Sequence, residues 1–432
     1  MTAALALAPE ANAVDPVADW LDRLLAGMAD LVTRADEATD AERVDRITAL
    51  ERLKAAVGAV QVAEIVRFGR SQVEAQRSAG VHPRRLGRGI ADQIALACGT
   101  GPADGVRRLG DARALWFDLP GCLDLLTTGR ITEWVAHHVV TETSHLDSFT
   151  RRRIDAELVR GGLADLSPRE AQARARKLAY EADPQGSLTR GRTARKQRRV
   201  TLRPAPDTMS HLHAFLPVEQ GVACYAALKR HVDTAVAAGD ERNRDQIMAD
   251  TVVERLTGQA SAEDVAIEVQ LVMPIESLLD PHSTGAAMIP GQGPVPAWAA
   301  REMMDRPGGQ KWWRRLFAAP THDGGRTIVD IDRTRRRFTG WLADLVKARD
   351  QYCRDPYCTA AIRHIDHIER YADSGPTTLT NGRGVCERGN YLREMPGWSV
   401  AKLNSGTDGM AHTIELITPT GHRYRSRAPD PP

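Results

Sequence analysis

Apolar residues recur at helical spacing near the start of the chain. Val17, Trp20, Leu21, Leu24, Leu25, Met28, Leu31 and Val32 fall on one stripe. A second stripe holds Val44, Ile47, Leu50, Leu53, Val57 and Val60. It opens on Thr39-x-x-Glu42, in which each side chain can accept from the other residue's free N–H. Further helices are predicted near 86–98, 103–118, 131–143 and 149–160. Ser167-Pro168-x-Glu170 is a strong helix start, with a capping hydroxyl, a proline at the first position and a glutamate reaching back, and that helix should run to about 182.

The pattern then changes. Val200-Thr201-Leu202 and the segment 210–215 flank Pro204-Ala205-Pro206-Asp207, which predicts a small hairpin, followed by helices at 218–237 and 243–257. Ile267, Val269, Leu271 and Met273 alternate with Glu268, Gln270 and Val272, as on a strand with one face more buried. Residues 274–325 are rich in Pro and Gly and carry no clear period, and 327–331 reads as another strand. A helix over 334–351, with Phe338, Trp341, Leu342, Leu345 and Val346 on one side, delivers the chain into Cys353. Short strands are expected at 399–403, 412–418 and 422–425, with Pro419-Thr420-Gly421 as the last turn. The fold class is therefore a mainly α N-terminal domain with a few strands (16–330), after a disordered tail (1–15), and an α+β C-terminal domain (331–432).

Composition narrows this only a little. A chain of 432 residues is long enough for two or three cores. Its 42% hydrophobic and 26% charged content is ordinary for a globular protein. No apolar run approaches the roughly 18 residues of a membrane span, and no basic residue precedes the first apolar run, as a secretory signal would require. Six cysteines are too few for a disulfide scaffold, and Cys98, Cys122 and Cys224 lie in apolar helical patterns, as buried thiols in a reducing cytoplasm would. The net charge of +2 implies no polyanionic partner, but residues 331–432 hold sixteen Lys+Arg against twelve Asp+Glu, a mild basic bias suited to nucleic acid. The stretch Arg190–Arg199 reads as a solvated linker or helix face, with phosphate contact as the alternative. His211-x-His213 and His137-His138 read as structural. Lys311-Trp312-Trp313-Arg314-Arg315 reads as a core tryptophan pair with solvated charges rather than a stacking platform for bases.

The chemistry is concentrated between Cys353 and Trp398. Hydrolysing a phosphodiester needs an activated water, stabilisation of charge on the phosphate and help for the departing oxygen. A hard divalent cation on oxygen ligands can serve the last two needs, and a neutral imidazole the first. Asp366-His367 offers both on adjacent residues, and on an extended strand their side chains diverge. Asn381 follows His367 by 14 residues, and Asn390 follows Asn381 by 9. Turn signals at Ser374-Gly375-Pro376 and Asn381-Gly382 give strand, loop and then a short helix from about 387 to 394, with Asn390 facing the strands and Glu394 one turn further along.

This arrangement resembles the HNH endonuclease motif with its ββα-metal fold. By that resemblance His367 is the general base, Asp366 and Asn390 hold one Mg²⁺ or Mn²⁺, and Asn381 orients the loop and the base. His364 and Glu394 are further candidate ligands. Many such proteins also carry Cys-x4-Cys before the Asp-His pair and Cys-x2-Cys at the helix start, together a structural zinc site. Cys353, Cys358 and Cys386 match, whereas Gly389 stands at the fourth position. Three thiolates with a water, or with His412 or His422, are the ways to retain zinc; loss of the metal is the other outcome. Over roughly 20–425 the chain resembles the actinobacterial 13E12-repeat proteins, in which an N-terminal domain of unknown function (number 222) precedes an HNH domain. The segments that carry this are 87–93 (GRGIADQ), 129–134 (GRITEW), 199–206 (RVTLRPAP) and 244–258, which opens with Arg244-Asp245-Gln246. The implied activity is DNA cleavage leaving a 3′-hydroxyl and a 5′-phosphate. The alternative is an HNH scaffold that grips nucleic acid without cutting it. The helices at 17–32 and 40–66 could also join two copies.

Overall fold

The computed structural model describes residues 16–33, 37–259, 261, 273–274, 277, 279–280, 282–283, 285–289, 293–305, 318–320, 326–328, 338, 340–407 and 409–430. The expectations for the tail 1–15, for most of the alternating segment 267–273, for 329–331 and for the cluster at 311–315 lie outside the described residues.

Helix α1 spans Pro16–Thr33 and α2 spans Asp40–Ser78. The capping box of α2 closes in both directions, Thr39 N donating to Glu42 Oε2 at 2.7 Å and Glu42 N to Thr39 Oγ1 at 3.3 Å. This helix runs well past its stripe of large apolar residues. Its buried face continues in small ones, Ala55, Gly58, Ala59, Val62, Val66 and Gly69, which let other helices approach closely but give a weak periodic signal. The faces of α1 and of the first half of α2 remain exposed, including Trp20, Leu25, Val44 and Ile47.

After α3 (Ile90–Ala97), five helices build the main core against α2: α4 (Pro102–Phe117), α5 (Pro120–Thr127), α6 (Glu133–Thr143), α7 (Ser148–Arg160) and α8 (Pro168–Ala182); α3 itself packs on α4. Leu115, Leu119, Leu126, Val139, Ile154, Leu158, Ala171 and Ala175 are buried together at its centre. Sequence reasoning passed over α5, which is too short for a periodic signal. Its start is fixed instead by Pro120 and by the buried Asp155 carboxylate, which accepts from Gly121 N at 2.6 Å and Cys122 N at 2.9 Å. Helix α8 opens on the expected Ser167 box. The basic stretch lies mostly on α9 (Pro184–Lys196), which buries no residue, so it is an exposed helix face and not an irregular linker.

Strands β1 (Arg199–Pro204) and β2 (Ser210–Phe215) form the expected antiparallel hairpin. His211 and His213 are exposed on β2 with ring centroids 5.6 Å apart. Helices α10 (Val218–Ala237) and α11 (Arg244–Thr257) follow. Of the three lone cysteines only Cys122 is buried; Cys98 is half-buried and Cys224 is exposed, which corrects the expectation for both. Cys224 lies on the open side of α10, where Val232 is the buried residue. Two small hairpins, β3 (Ala286–Ile289) with β4 (Gly293–Pro296) and β5 (Ala318–Pro320) with β6 (Arg326–Ile328), and helix α12 (Ala297–Asp305) precede the C-terminal unit.

That unit begins with α13 (Gly340–Asp350), which packs Leu342, Leu345 and Val346 with Leu379 beneath the pair β7 (His364–His367) and β8 (Gly382–Val385). Helix α14 (Glu387–Leu392) follows, then an antiparallel sheet of β9 (Ser399–Asn404), β10 (Thr413–Ile417) and β11 (Arg423–Arg427) in the order β11-β10-β9. Helix α3 docks onto this unit. Leu96 joins Leu392, Trp398 and Leu416 in one apolar cluster. Arg388 Nε lies 2.6 Å from Asp92 Oδ1, and Thr420 Oγ1 donates to Gln93 Oε1 at 2.8 Å. The segment GRGIADQ thus supplies the polar part of this contact, through Asp92 and Gln93. No described helix is long and apolar enough to cross a membrane.

Candidate active site and metal centre

The Asp-His pair sits on β7, where Asp366 pairs with Arg383 and His367 with Gly382 across to β8. Both flanking glycines of β8 are places of close approach. A Cβ on Gly382 would meet the Phe338 ring at 2.7 Å, and one on Gly384 would collide with Ile362. The segment Gly-Arg-Gly therefore lets α13 and the preceding loop close over the strand while Arg383 is fully buried.

Asp366 and His367 diverge as the strand requires. The Asp366 carboxylate receives Arg383 Nε at 3.2 Å, Arg383 Nη2 at 3.1 Å and Arg393 Nη1 at 2.8 Å, all on Oδ2. Oδ1 accepts no hydrogen bond among the described residues. The half-buried His367 ring is fixed by Nε2 to Thr377 Oγ1 at 2.8 Å and lies against Phe338 and Tyr371, with centroids 4.7 and 5.7 Å away. Thr377 therefore holds one ring nitrogen and leaves Nδ1 for a water. Burial lowers the His367 pKa, with Arg393 adding to the effect and Asp366 opposing it. The lowered value favours the neutral ring, the form able to accept a proton.

Asn381 is a loop clamp. Its Oδ1 accepts from Glu369 N at 2.9 Å, and its Nδ2 donates to Glu369 O at 3.0 Å and Pro376 O at 2.8 Å. These bonds fix residues 368–376, and Thr377 follows directly. Asn390 is half-buried on α14, with no hydrogen bond from its amide side chain among the described residues. His364 is exposed at the start of β7, two residues from Asp366 and so on the same strand face. Glu394 does not join them. Helix α14 ends at Leu392, short of the expected 394, and Glu394 is exposed and paired with Arg370 at 3.2 Å.

Under β8 lies an ionic hub that sequence reasoning missed. The fully buried Asp350 carboxylate accepts from Arg349 Nε at 2.7 Å and Nη2 at 2.9 Å, Arg354 Nη1 at 2.9 Å and Gly384 N at 2.7 Å. Burial opposes its ionisation, but the two guanidinium groups win and hold its pKa at about 2. Arg349 also donates to the carbonyls of Leu379 and Gly382, and Arg354 to that of His412.

His412 borders this hub. It is fully buried; Nε2 lies 3.2 Å from Thr380 O, and Nδ1 has no partner among the described residues. Burial first, then the positive charge of Arg349 and Arg354, outweigh Asp350 and push its pKa down to about 2. The folded state keeps this ring neutral while the unfolded chain takes up a proton near pH 6.5. Stability should then be lost as pH falls below about 6.5, by about 2 kcal/mol between pH 6.5 and 4.5 from this residue alone. Chemical denaturation at the two pH values, with His412→Gln beside the wild type, measures it. An equal pH slope in both proteins would contradict it.

Cys353, Cys358 and Cys386 converge, with all three sulfur atoms within 4.8 Å of one another and all buried. The Cys358–Cys386 separation of 4.0 Å is close to the roughly 3.8 Å across a tetrahedral zinc site with Zn–S bonds of about 2.3 Å. Bonds from the other two thiols, and from Gly389 N at 3.3 Å, favour the thiolate on Cys386 at the start of α14, while the Cys353 thiol is driven the other way. The donor set fits a soft cation such as zinc. Neither His412 nor His422 belongs to the cluster; His412 is committed to Thr380, and His422 Nδ1 lies 2.9 Å from Thr420 Oγ1. Cys386→Ser should reduce bound zinc from about one per chain and lower the melting temperature of the C-terminal unit by several degrees. A wild type purified without zinc, and a variant with unchanged melting, would reject the metal.

A family model described as a domain of unknown function (DUF222) matches residues 41–350. No curated protein and no solved structure matches the chain. The family match ends at Asp350, so the Asp-His pair and the cysteine cluster lie beyond it.

Proposed function

Because the chain belongs to the DUF222 family, whose description names no activity, its chemistry has to be read from the residues that follow, and we propose that it is a metal-dependent HNH-type endonuclease that hydrolyses DNA phosphodiester bonds. The observation that carries this reading is the division of labour on β7. Among the described residues Asp366 leaves Oδ1 uncommitted, and on the next residue His367, held by Thr377, leaves Nδ1 uncommitted. His367 Nδ1 takes the proton of the attacking water. Asn381 holds the loop that carries Thr377 and so keeps the ring oriented. Asp366 and Asn390 would hold the cation, which supplies charge stabilisation for the phosphate and the departing oxygen. The exposed His364, two residues before Asp366 on the same strand face, would add a hydrogen bond toward a phosphate.

The second reading, a scaffold that binds nucleic acid without cutting, is favoured by one observation. Two guanidinium groups already neutralise Asp366, which weakens its hold on a divalent cation. End-group mapping of a labelled DNA duplex tests the proposal. Cleavage with Mg²⁺ or Mn²⁺ should leave 3′-hydroxyl and 5′-phosphate ends. Products ending in 3′-phosphate, or DNA retarded in a gel but never cut, would count against it.

A further inference from the structure

Gly389 takes the place where a fourth cysteine would complete the cluster, and something else fills the space. A Cβ built on Gly389 would collide with Asp355 Oδ2 and lie 3.5 Å from the Cys353 sulfur. The Asp355 carboxylate therefore stands where the side chain of a ligand at 389 would begin. Asp355 is only 6% exposed. Its Oδ1 is engaged by Arg383 Nη1 at 2.8 Å, while Oδ2 accepts no hydrogen bond among the described residues. Oδ2 is the carboxylate oxygen nearest the place of a Gly389 Cβ. Arg383 is shared between Asp355 and Asp366, so one guanidinium serves two carboxylates.

We propose that Asp355 is the fourth ligand of a Cys3Asp zinc site, supplying Oδ2 beside Cys353, Cys358 and Cys386, and that Gly389 is the residue that makes room for it. At least one separation between the carboxylate and the three sulfurs exceeds 4.8 Å, so ligation needs a modest rotation of the Asp355 side chain. An oxygen donor is compatible with zinc at about 2.0–2.2 Å. Because the other oxygen holds Arg383, and Arg383 holds Asp366, the metal knuckle and the Asp-His strand are joined through one side chain.

X-ray absorption on the zinc-loaded full chain tests this without reference to cleavage. The expected first shell is three sulfurs and one oxygen. Asp355→Asn keeps an oxygen for Arg383 but loses the charge, and should weaken zinc binding by tenfold or more in competition with a chelating dye. Asp355→Ser combined with Gly389→Cys should restore wild-type affinity with a four-sulfur shell, and this guards against a single variant that merely misfolds. Zinc affinity unchanged within twofold in Asp355→Asn would assign the fourth position to water and overturn the proposal. So would a wild type that binds no zinc.

Discussion

His367→Ala should lower DNA cleavage by about 10²–10⁴-fold, the usual contribution of a positioned general base, while leaving DNA retention and zinc content unchanged. The substitution removes the proton acceptor and no atom that would hold the cation. The ring is not a core support either, because it is half-buried and its fixed contact is the Thr377 hydroxyl. The sign of the pH dependence follows from the same surroundings. Burial and Arg393 lower the His367 pKa against the pull of Asp366. Cleavage by the wild type should therefore rise with pH and level off with a midpoint below 6.5, the ordinary value for histidine. A midpoint above 6.5 would mean that the titrating base sits elsewhere. Thr377→Val should reproduce part of the loss, since the ring would keep its place but lose its tether.

Asp350→Ala should destabilise the C-terminal unit by about 3–5 kcal/mol, the cost of removing one partner from a buried ionic cluster. The substitution strands Arg349 and Arg354, which are 3% and 2% exposed at the side chain, and removes the acceptor of Gly384 N. Through Gly384 the damage reaches β8, and through Arg349 it reaches the carbonyls that shape the Asn381 turn. Asp350→Asn should cost less, because the amide oxygen can still accept from one of these donors. Denaturant unfolding of the full chain, followed by hydrogen exchange of the β8 amides, reads the effect. A shift of less than 1 kcal/mol for Asp350→Ala would show that the hub is not what holds β8.

Much of this was visible in the sequence where local physics decides the outcome. The capping boxes at Thr39 and Ser167 mark helix starts because both partners lie within four residues of each other. The hairpin 199–215 and the spacing of Asp366, His367, Asn381 and Asn390 are also local or nearly so. The sequence could not show what depends on contacts across the chain. Arg383 looks like a strand residue between glycines, and only the pairing with Asp366 and the loop carrying Asp355 explains its complete burial. Asp350 ends a helix like many other polar residues, and its donors come from three different positions, Arg349, Arg354 and Gly384. Glu394 was misplaced because helical spacing was extended two residues beyond the real end of α14. Cys224 was misjudged because an apolar stripe tells which residues share a face, not whether anything covers that face. GRGIADQ looked like a family signature with no chemistry, and its role is to dock α3 on the site-bearing unit through Asp92 and Gln93.

The most direct test of the central claim is a supercoiled-plasmid nicking assay on the purified full chain with Mg²⁺, Mn²⁺ or EDTA, run beside His367→Ala. The expected result is nicking that requires the metal and is lost in the variant. Nicking of equal rate in the variant, or plasmid that is bound but left intact under every metal, would contradict it.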